Sequence, residues 1–253
     1  MTLKKSRKII FLLIFIFCTA IFPLGYHYRY YLYRTSPTLD EVKSGTLLSL
    51  KAEIAAKGFT WGSPVFLRLF KEENELEIWL QDSEESRYRL YDSFNICKYS
   101  GKLGPKRREG DRQAPEGFYY VPQDMLHPNS KFHLALNLGY PNDYDAAHGY
   151  SGSFLMIHGK CVSTGCYAMT DEVIEKVYLL AESALQHGQE AVPVHIFPFR
   201  LEEEKLKAHK NYKWYAFWND LREGYTYFEQ HRIPPQIVVE DKKYRIKDAQ
   251  RGI

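Results

Sequence analysis

Ile157-His158-Gly159-Lys160-Cys161-Val162-Ser163-Thr164-Gly165-Cys166-Tyr167 leads from an apolar run, through two glycines, to a cysteine four residues before a suitable helix cap, Thr170. The run Phe154-Leu155-Met156-Ile157 predicts a strand that carries His158 to its end. The glycines at 159 and 165 permit tight turns. A cysteine attacks carbonyl carbon as the thiolate, and both a nearby imidazole and a helix N-terminus favour that form. The stretch therefore reads as a nucleophile, Cys166, with a base, His158. Gly165 allows backbone N–H groups to approach a substrate closely enough to bind an oxyanion. Two other readings of the same residue types stay open. His158, Cys161 and Cys166 are metal-ligand types, although no second Cys/His pair at metal spacing accompanies them. Cys161 and Cys166 are also a candidate disulfide.

Working outward, Val173, Ile174, Val177, Leu180, Ala181, Ala184 and Leu185 share one face of a helix whose first turn carries Asp171 and Glu172. Met169 is placed to staple onto Ile174. Upstream, Val65 to Phe70, Leu76 to Leu80 and Tyr88 to Tyr91 read as a β-meander, with further strands at His133 to Asn137 and Val192 to Phe197. Leu39, Val42, Leu47, Leu50, Ile54 and Ala55 approximate a helical stripe that stops at Lys57-Gly58. The Gly-, Lys-, Arg- and Asp-rich segment from Ser100 to Gln113 reads as a solvated loop, and Ala114 to Tyr120 as a turn into an aromatic strand. A last helix runs through Trp214, Phe217, Trp218 and Leu221 to Gly224, followed by a Pro234-Pro235 break and a polar end. His148 lies in a Gly/Pro/Asn-rich loop and reads as an exposed loop residue. The expected fold class is mainly β with flanking helices.

The formal net charge is +3, but Lys4, Lys5, Arg7 and Lys8 carry more than that, so the remainder is slightly acidic. A basic nucleic-acid footprint is absent. Those cations precede an apolar run from Ile9 to Leu24, which reads as an export signal or an uncleaved inner-membrane anchor. Aromatic and basic residues from Tyr26 to Arg34 follow as an interfacial collar. The expected organisation is an anchor over 1–34, a catalytic domain over 38–230 and a polar tail over 231–253. Cys97, Cys161 and Cys166 then lie outside the membrane, an odd number in an oxidising compartment. Cys166 is expected to be the free thiol, with Cys97 and Cys161 either bonded to each other or both reduced.

His158-Gly159 and Ser163-Thr164-Gly165-Cys166 resemble the motif of the L,D-transpeptidase (YkuD-type) family, which ends in His-Gly, a loop, then Ser/Thr-x-Gly-Cys. Gly-Cys-Tyr-Ala-Met-Thr-Asp at 165–171 and Gly-Asp-Arg-Gln-Ala-Pro-Glu-Gly-Phe-Tyr at 110–119 are most similar to the branch of murein amidases that release Braun's lipoprotein from peptidoglycan. The resemblance implies a β-sandwich-like YkuD domain, with Cys166 as nucleophile and His158 as proton acceptor and donor. It further implies that the Gly159 carbonyl orients the imidazole, that Gly165 belongs to the oxyanion region, and that Arg112, Ser163, Thr164 and Tyr167 contact substrate. Thr164 replaces the family's commoner second histidine, Ala168 replaces its usual arginine, and the loop from Gly159 to Gly165 is short.

The expected reaction is acyl transfer at diaminopimelate in a peptidoglycan stem peptide, through a Cys166 thioester and with no metal or organic cofactor. The departures from the motif favour hydrolysis of a peptidoglycan–lipoprotein bond. Cross-linking or lipoprotein attachment is the alternative, and a non-catalytic peptidoglycan-binding protein is a more distant one. The expected location is the periplasm or cell envelope.

Overall fold

In the computed structural model, which describes residues 36–82 and 84–247, the first helix is α1, Leu39–Ala56. Thr38 and Glu41 form a reciprocal capping box, which satisfies backbone donors that the first turn would otherwise leave unpaired. Val42, Leu50 and Ile54 are its buried residues, and Gly58 takes a left-handed φ of 76° just past its end. The proposed anchor and collar lie outside the described residues. No helix among the described residues is long and apolar enough to cross a membrane.

The meander forms where the apolar and aromatic runs between polar turns predict it: β1 (Val65–Phe70), β2 (Glu75–Gln81) and β3 (Tyr88–Asn95) pair antiparallel. Two later strands complete this sheet, β5 (Gly117–Val121) and β10 (Val192–Phe197), in the order β3-β2-β1-β10-β5, with β10 parallel to β1. A second sheet has the order β4-β9-β8-β7-β6. Its strands are β4 (Lys98–Tyr99), β6 (Leu126–Ser130), β7 (His133–Asn137), β8 (Met156–His158) and β9 (Tyr167–Ala168). Helix α3, Asp171–Gln186, packs on β7 of one sheet and on β1 and β10 of the other, with α1 against it. Such a position explains why Ile174, Val177, Tyr178, Leu179, Leu180, Ala181 and Ala184 are all buried, a wider apolar surface than one stripe. The architecture is mainly β with flanking helices.

Every residue of β1 is buried because the strand is covered on both faces. Its outer face meets helix α5, Tyr215–His231, through Phe66 on Phe228 and Phe70 on Tyr225. Arg68, also on that face, reaches Glu229 at 2.7 Å.

Four segments differ from the sequence reading. Helix α5 does not stop at Gly224: that glycine is interior because a Cβ there would lie 2.7 Å from the Phe118 ring, and Arg232, left-handed at φ 54°, ends the helix. The polar end contains a hairpin, β11 (Ile237–Glu240) with β12 (Lys243–Ile246), anchored by Tyr244, whose ring stacks on Tyr144 at 4.4 Å. The predicted strand at 154–157 begins only at Met156, since Phe154 is left-handed at φ 53° and 68% exposed. The 100–113 segment is not solvated throughout. Gly104, Pro105 and Lys106 are buried over an ion pair of Lys71 with Glu116 at 2.9 Å, both fully buried. Lys71 also donates to the carbonyls of Gly104 and Ala114, and Glu116 accepts the Gly104 N–H and the Trp218 indole N–H. Those bonds offset the cost of burying two charges. They pin the loop in place.

Candidate active site

Strands β8 and β9 run parallel, with Ile157 beside Tyr167 and His158 beside Ala168. Side chains alternate across a sheet, so His158 and Cys166 share one face while Ile157 and Tyr167, both fully buried, share the other. The strand spacing and a two-residue offset put the two α-carbons about 8 Å apart, within reach of an imidazole and a thiol. Before any substrate is bound, the Cys166 sulfur accepts the Met156 N–H at 3.4 Å and donates to the Phe154 carbonyl at 3.6 Å.

The imidazole of His158 is 2% exposed, and its Nδ1 lies 2.7 Å from the Gly159 carbonyl oxygen. A carbonyl only accepts, so Nδ1 carries the hydrogen and Nε2 keeps its lone pair. The turn that makes this bond is fixed from outside. Asp171, at the start of α3, accepts the Lys160 N–H at 2.8 Å. A Cβ at Gly159 would lie 2.6 Å from that carboxylate and 3.0 Å from the Phe132 carbonyl, so only glycine fits. Thr170 caps α3, accepting the Val173 N–H.

The loop between the two residues is held by hydroxyls and by a cross-link. Ser163 Oγ accepts the Cys166 N–H at 3.1 Å and donates to the Cys166 carbonyl at 2.6 Å. Gly165, left-handed at φ 114°, donates its N–H to Ser100 Oγ at 2.6 Å. The backbone N–H groups of Gly165 and Cys166 thus both already have acceptors. Cys97 and Cys161 form a disulfide with 5.2 Å between α-carbons, and Cys166 is free. That pairing excludes a Cys161–Cys166 bridge and removes Cys161 from any metal-ligand set.

Burial pushes the Cys166 thiol up, against the opposing pull of the Met156 N–H and the positive charge of Lys106. Burial pushes the His158 imidazole down, opposed by its bond to the Gly159 carbonyl. Lys106 is itself nearly buried, donating to Asp111 at 2.6 Å and to the Arg108 carbonyl at 2.8 Å.

A family model, "YkuD: L,D-transpeptidase catalytic domain", matches residues 77–196, a range that holds both His158 and Cys166. YafK of Escherichia coli K12, a candidate L,D-transpeptidase, is 49% identical over 183 residues, covering 72% of this chain and 74% of YafK. This chain belongs to the L,D-transpeptidase catalytic-domain family. YafK of Escherichia coli O157:H7 matches to the same extent, 49% over 183 residues. Among solved structures, the helical cell shape determining protein Pgp2 (K307A mutant) of Campylobacter jejuni aligns with a TM-score of 0.45 and 20% identity, over 66% of this chain and 59% of that one. Bd1075 of Bdellovibrio bacteriovorus aligns with a TM-score of 0.39 and 17% identity, over 74% of this chain and 89% of that one.

The other residues that the L,D-transpeptidase motif singles out are distributed unevenly. Thr164 is exposed on the loop, and Arg112 is exposed at a left-handed position, φ 54°, in the 100–116 segment. Tyr167 does not face a groove. It is fully buried, with its hydroxyl donating to the Pro115 carbonyl at 2.7 Å, because it lies on the core face of the sheet. Ser163 is occupied with the backbone of Cys166. His148 is half-buried rather than exposed, stacked on Tyr144 at 4.2 Å. Phe132, Lys106 and Ser100 contribute to the site from distant sequence positions, and Asp171 from five residues past Cys166. Of these only Asp171 had a sequence signal, as an acidic residue at a helix start.

Proposed function

We propose that this L,D-transpeptidase-family chain is a cell-envelope cysteine amidase that hydrolyses an amide made by diaminopimelate of peptidoglycan, including the bond to a covalently attached lipoprotein. In this reading Cys166 Sγ attacks the carbonyl at the L-centre of diaminopimelate, and His158 Nε2 takes the thiol proton. The tetrahedral intermediate collapses to a thioester as His158 returns the proton to the departing amine. Water, deprotonated by the same nitrogen, then releases the acid and the free thiol. The observation that carries the reading is the Gly159 carbonyl on His158 Nδ1, which leaves Nε2 as the base on the same sheet face as Cys166. Gly165 contributes to the oxyanion region once the Ser100 hydroxyl turns aside, and in this reading the exposed residues Arg112 and Thr164 meet substrate.

Hydrolysis is favoured over transfer because the loop between base and nucleophile is short and exposes Val162 and Thr164. Keeping an acyl-enzyme for an amine requires excluding water, and this loop builds little wall. The basic and apolar residues of 1–34 supply export or anchoring in the inner membrane. The full chain, incubated with sacculi bearing bound lipoprotein, should release protein ending in a free lysine side chain, as read by mass spectrometry. Cys166→Ala should lower that release on the order of a thousandfold or more. Net formation of diaminopimelate cross-links without released protein or tripeptide would assign the chain to transfer instead.

A further inference from the structure

Hairpin tips are ordinarily polar, but the tip between β6 and β7 carries Phe132, 43% exposed. Three ties hold it. Its N–H donates to Ser130 Oγ at 3.0 Å, and its carbonyl accepts the Gly159 N–H at 3.0 Å. The next residue, His133, is left-handed at φ 71°, buried, and 2.8 Å from Glu175. Among the described residues Phe132 is not one of the side chains packed on the hydrophobic core. Its ring lies instead on the imidazole of His158, centroids 4.7 Å apart and planes 30° from parallel. The fold has thus fixed an apolar ring over the base and left its other face open.

We propose that Phe132 is a positioning residue for His158, whose ring face fixes the plane of the imidazole and stabilises the imidazolium formed when Nε2 takes the Cys166 proton. The electron-rich face of an aromatic ring attracts a cation, more so where water is excluded. His158 needs such help. Its Nδ1 partner is a neutral carbonyl rather than a carboxylate, and burial disfavours its charged form. Of the acidic groups near it, Asp171 and Glu175 are already engaged, and Lys160 adds a cation that does not favour an imidazolium. Cys166, just before β9, lies on the same sheet face, and Lys160 follows on the turn. Asp171 holds the Lys160 N–H, and Glu175 is bonded to His133 and Thr46 on the far side of the hairpin. The proton that Phe132 helps His158 hold is the one later given to the leaving amine, so its loss slows the first step without changing the products.

The inference rests on the acyl-transfer reading above, and the test separates the two. Full-length Phe132→Leu, Phe132→Tyr and His158→Ala are compared for turnover on sacculi, for the His158 titration by NMR, and for iodoacetamide labelling mapped to the Cys166 peptide. Phe132→Leu keeps an apolar cover but no ring face. It should lose about tenfold in turnover and titrate His158 at lower pH, whereas Phe132→Tyr should stay near wild type. Wild-type turnover and an unmoved titration in Phe132→Leu would overturn the proposal, as would a Tyr variant as impaired as Leu. If His158→Ala is fully active, the base assignment itself fails. If His158→Ala is inactive and Phe132→Leu is not impaired, only the role of Phe132 fails.

Discussion

Burial raises the Cys166 thiol and lowers the His158 imidazole, and both directions favour the uncharged forms over a preformed thiolate–imidazolium pair. The sign of the pH dependence follows. In the proposed mechanism the base is lost when His158 is protonated, so kcat/KM should fall on an acid limb below the ordinary histidine value of about 6.5, and fall again in the alkaline range above the ordinary thiol value as the thiol proton needed by the leaving amine is lost. Between them lies a broad plateau. A preformed pair would instead keep Cys166 reactive toward iodoacetamide well into acid, so labelling that stays fast near pH 5 contradicts the neutral pair. Lys106 opposes the rise of the thiol, and burial would by itself raise its partner Asp111. Lys106 and the N–H groups of Arg107, Arg108 and Gln113 bring Asp111 below the usual range instead. Replacing Lys106 by Met should therefore move the Cys166 labelling profile to higher pH. A profile unchanged in position would show that the cation does not act on the sulfur.

Helix α2, Asp143–Ala147, carries a carboxylate whose titration reports on folding. Asp145 is 1% exposed, accepts the Tyr119 hydroxyl and the Asn142 N–H, and is pushed up by burial to about 7, those two bonds only partly opposing. In the unfolded chain it ionises near 3.8. Between these values the folded state holds a proton that the unfolded state has lost, so stability falls as pH rises from about 4 to about 7 and is flat above. The whole effect is at most about 4 kcal/mol, from about 1.4 kcal/mol per unit. Asp145→Asn should remove it: the difference in urea unfolding free energy between wild type and variant should shift in the variant's favour from pH 4 to 7. A constant difference would mean that Asp145 is ionised in the folded state at pH 5. Glu53, lowered to about 2 by Lys176, Tyr91 and Lys57 despite burial, acts in a different window, losing its contribution only as pH falls below about 4.5. Among the elements, the strands of the meander were legible in sequence as short apolar and aromatic runs between polar turns, and α3 by its helical spacing of apolar residues after the Thr170 cap. The continuation of α5 past Gly224 was not, since the glycine answers to the Phe118 ring on another element. Nor was the β11–β12 hairpin, whose burial rests on one residue, Tyr244, stacking on Tyr144. The candidate site divides likewise. His158, Gly159 and Cys166 lie in one contiguous stretch, whereas Phe132 and Lys106 reach it only through tertiary packing.

At the scale of the molecule, the loop between β8 and β9, besides its hydrogen bonds, is fastened covalently by the Cys97–Cys161 disulfide to the chain just before β4. The bridge spans 64 residues of sequence, and closing a loop of that length in the unfolded chain stabilises the fold by about 4 kcal/mol in the chain-entropy account. A double Cys97→Ser, Cys161→Ser variant should therefore unfold at lower urea concentration than the oxidised wild type, and wild type in dithiothreitol should behave similarly. Activity need not follow stability. Cys97→Ser alone leaves Cys161 unpaired and only five positions from Cys166, and short loops close at little entropic cost whenever the fold opens. The single variant can thus bury its own nucleophile in a Cys161–Cys166 bridge, whereas the double variant cannot. Under oxidising conditions Cys97→Ser should turn over more slowly than the double variant despite carrying one fewer substitution, and dithiothreitol should restore it to the double variant's rate. Peptide mapping of the unreduced protein should find the Cys161–Cys166 bridge in the slow form. Equal rates for the two variants before reduction, with no such bridge, would show that the loop keeps its two sulfurs apart even when the fastening to β4 is gone.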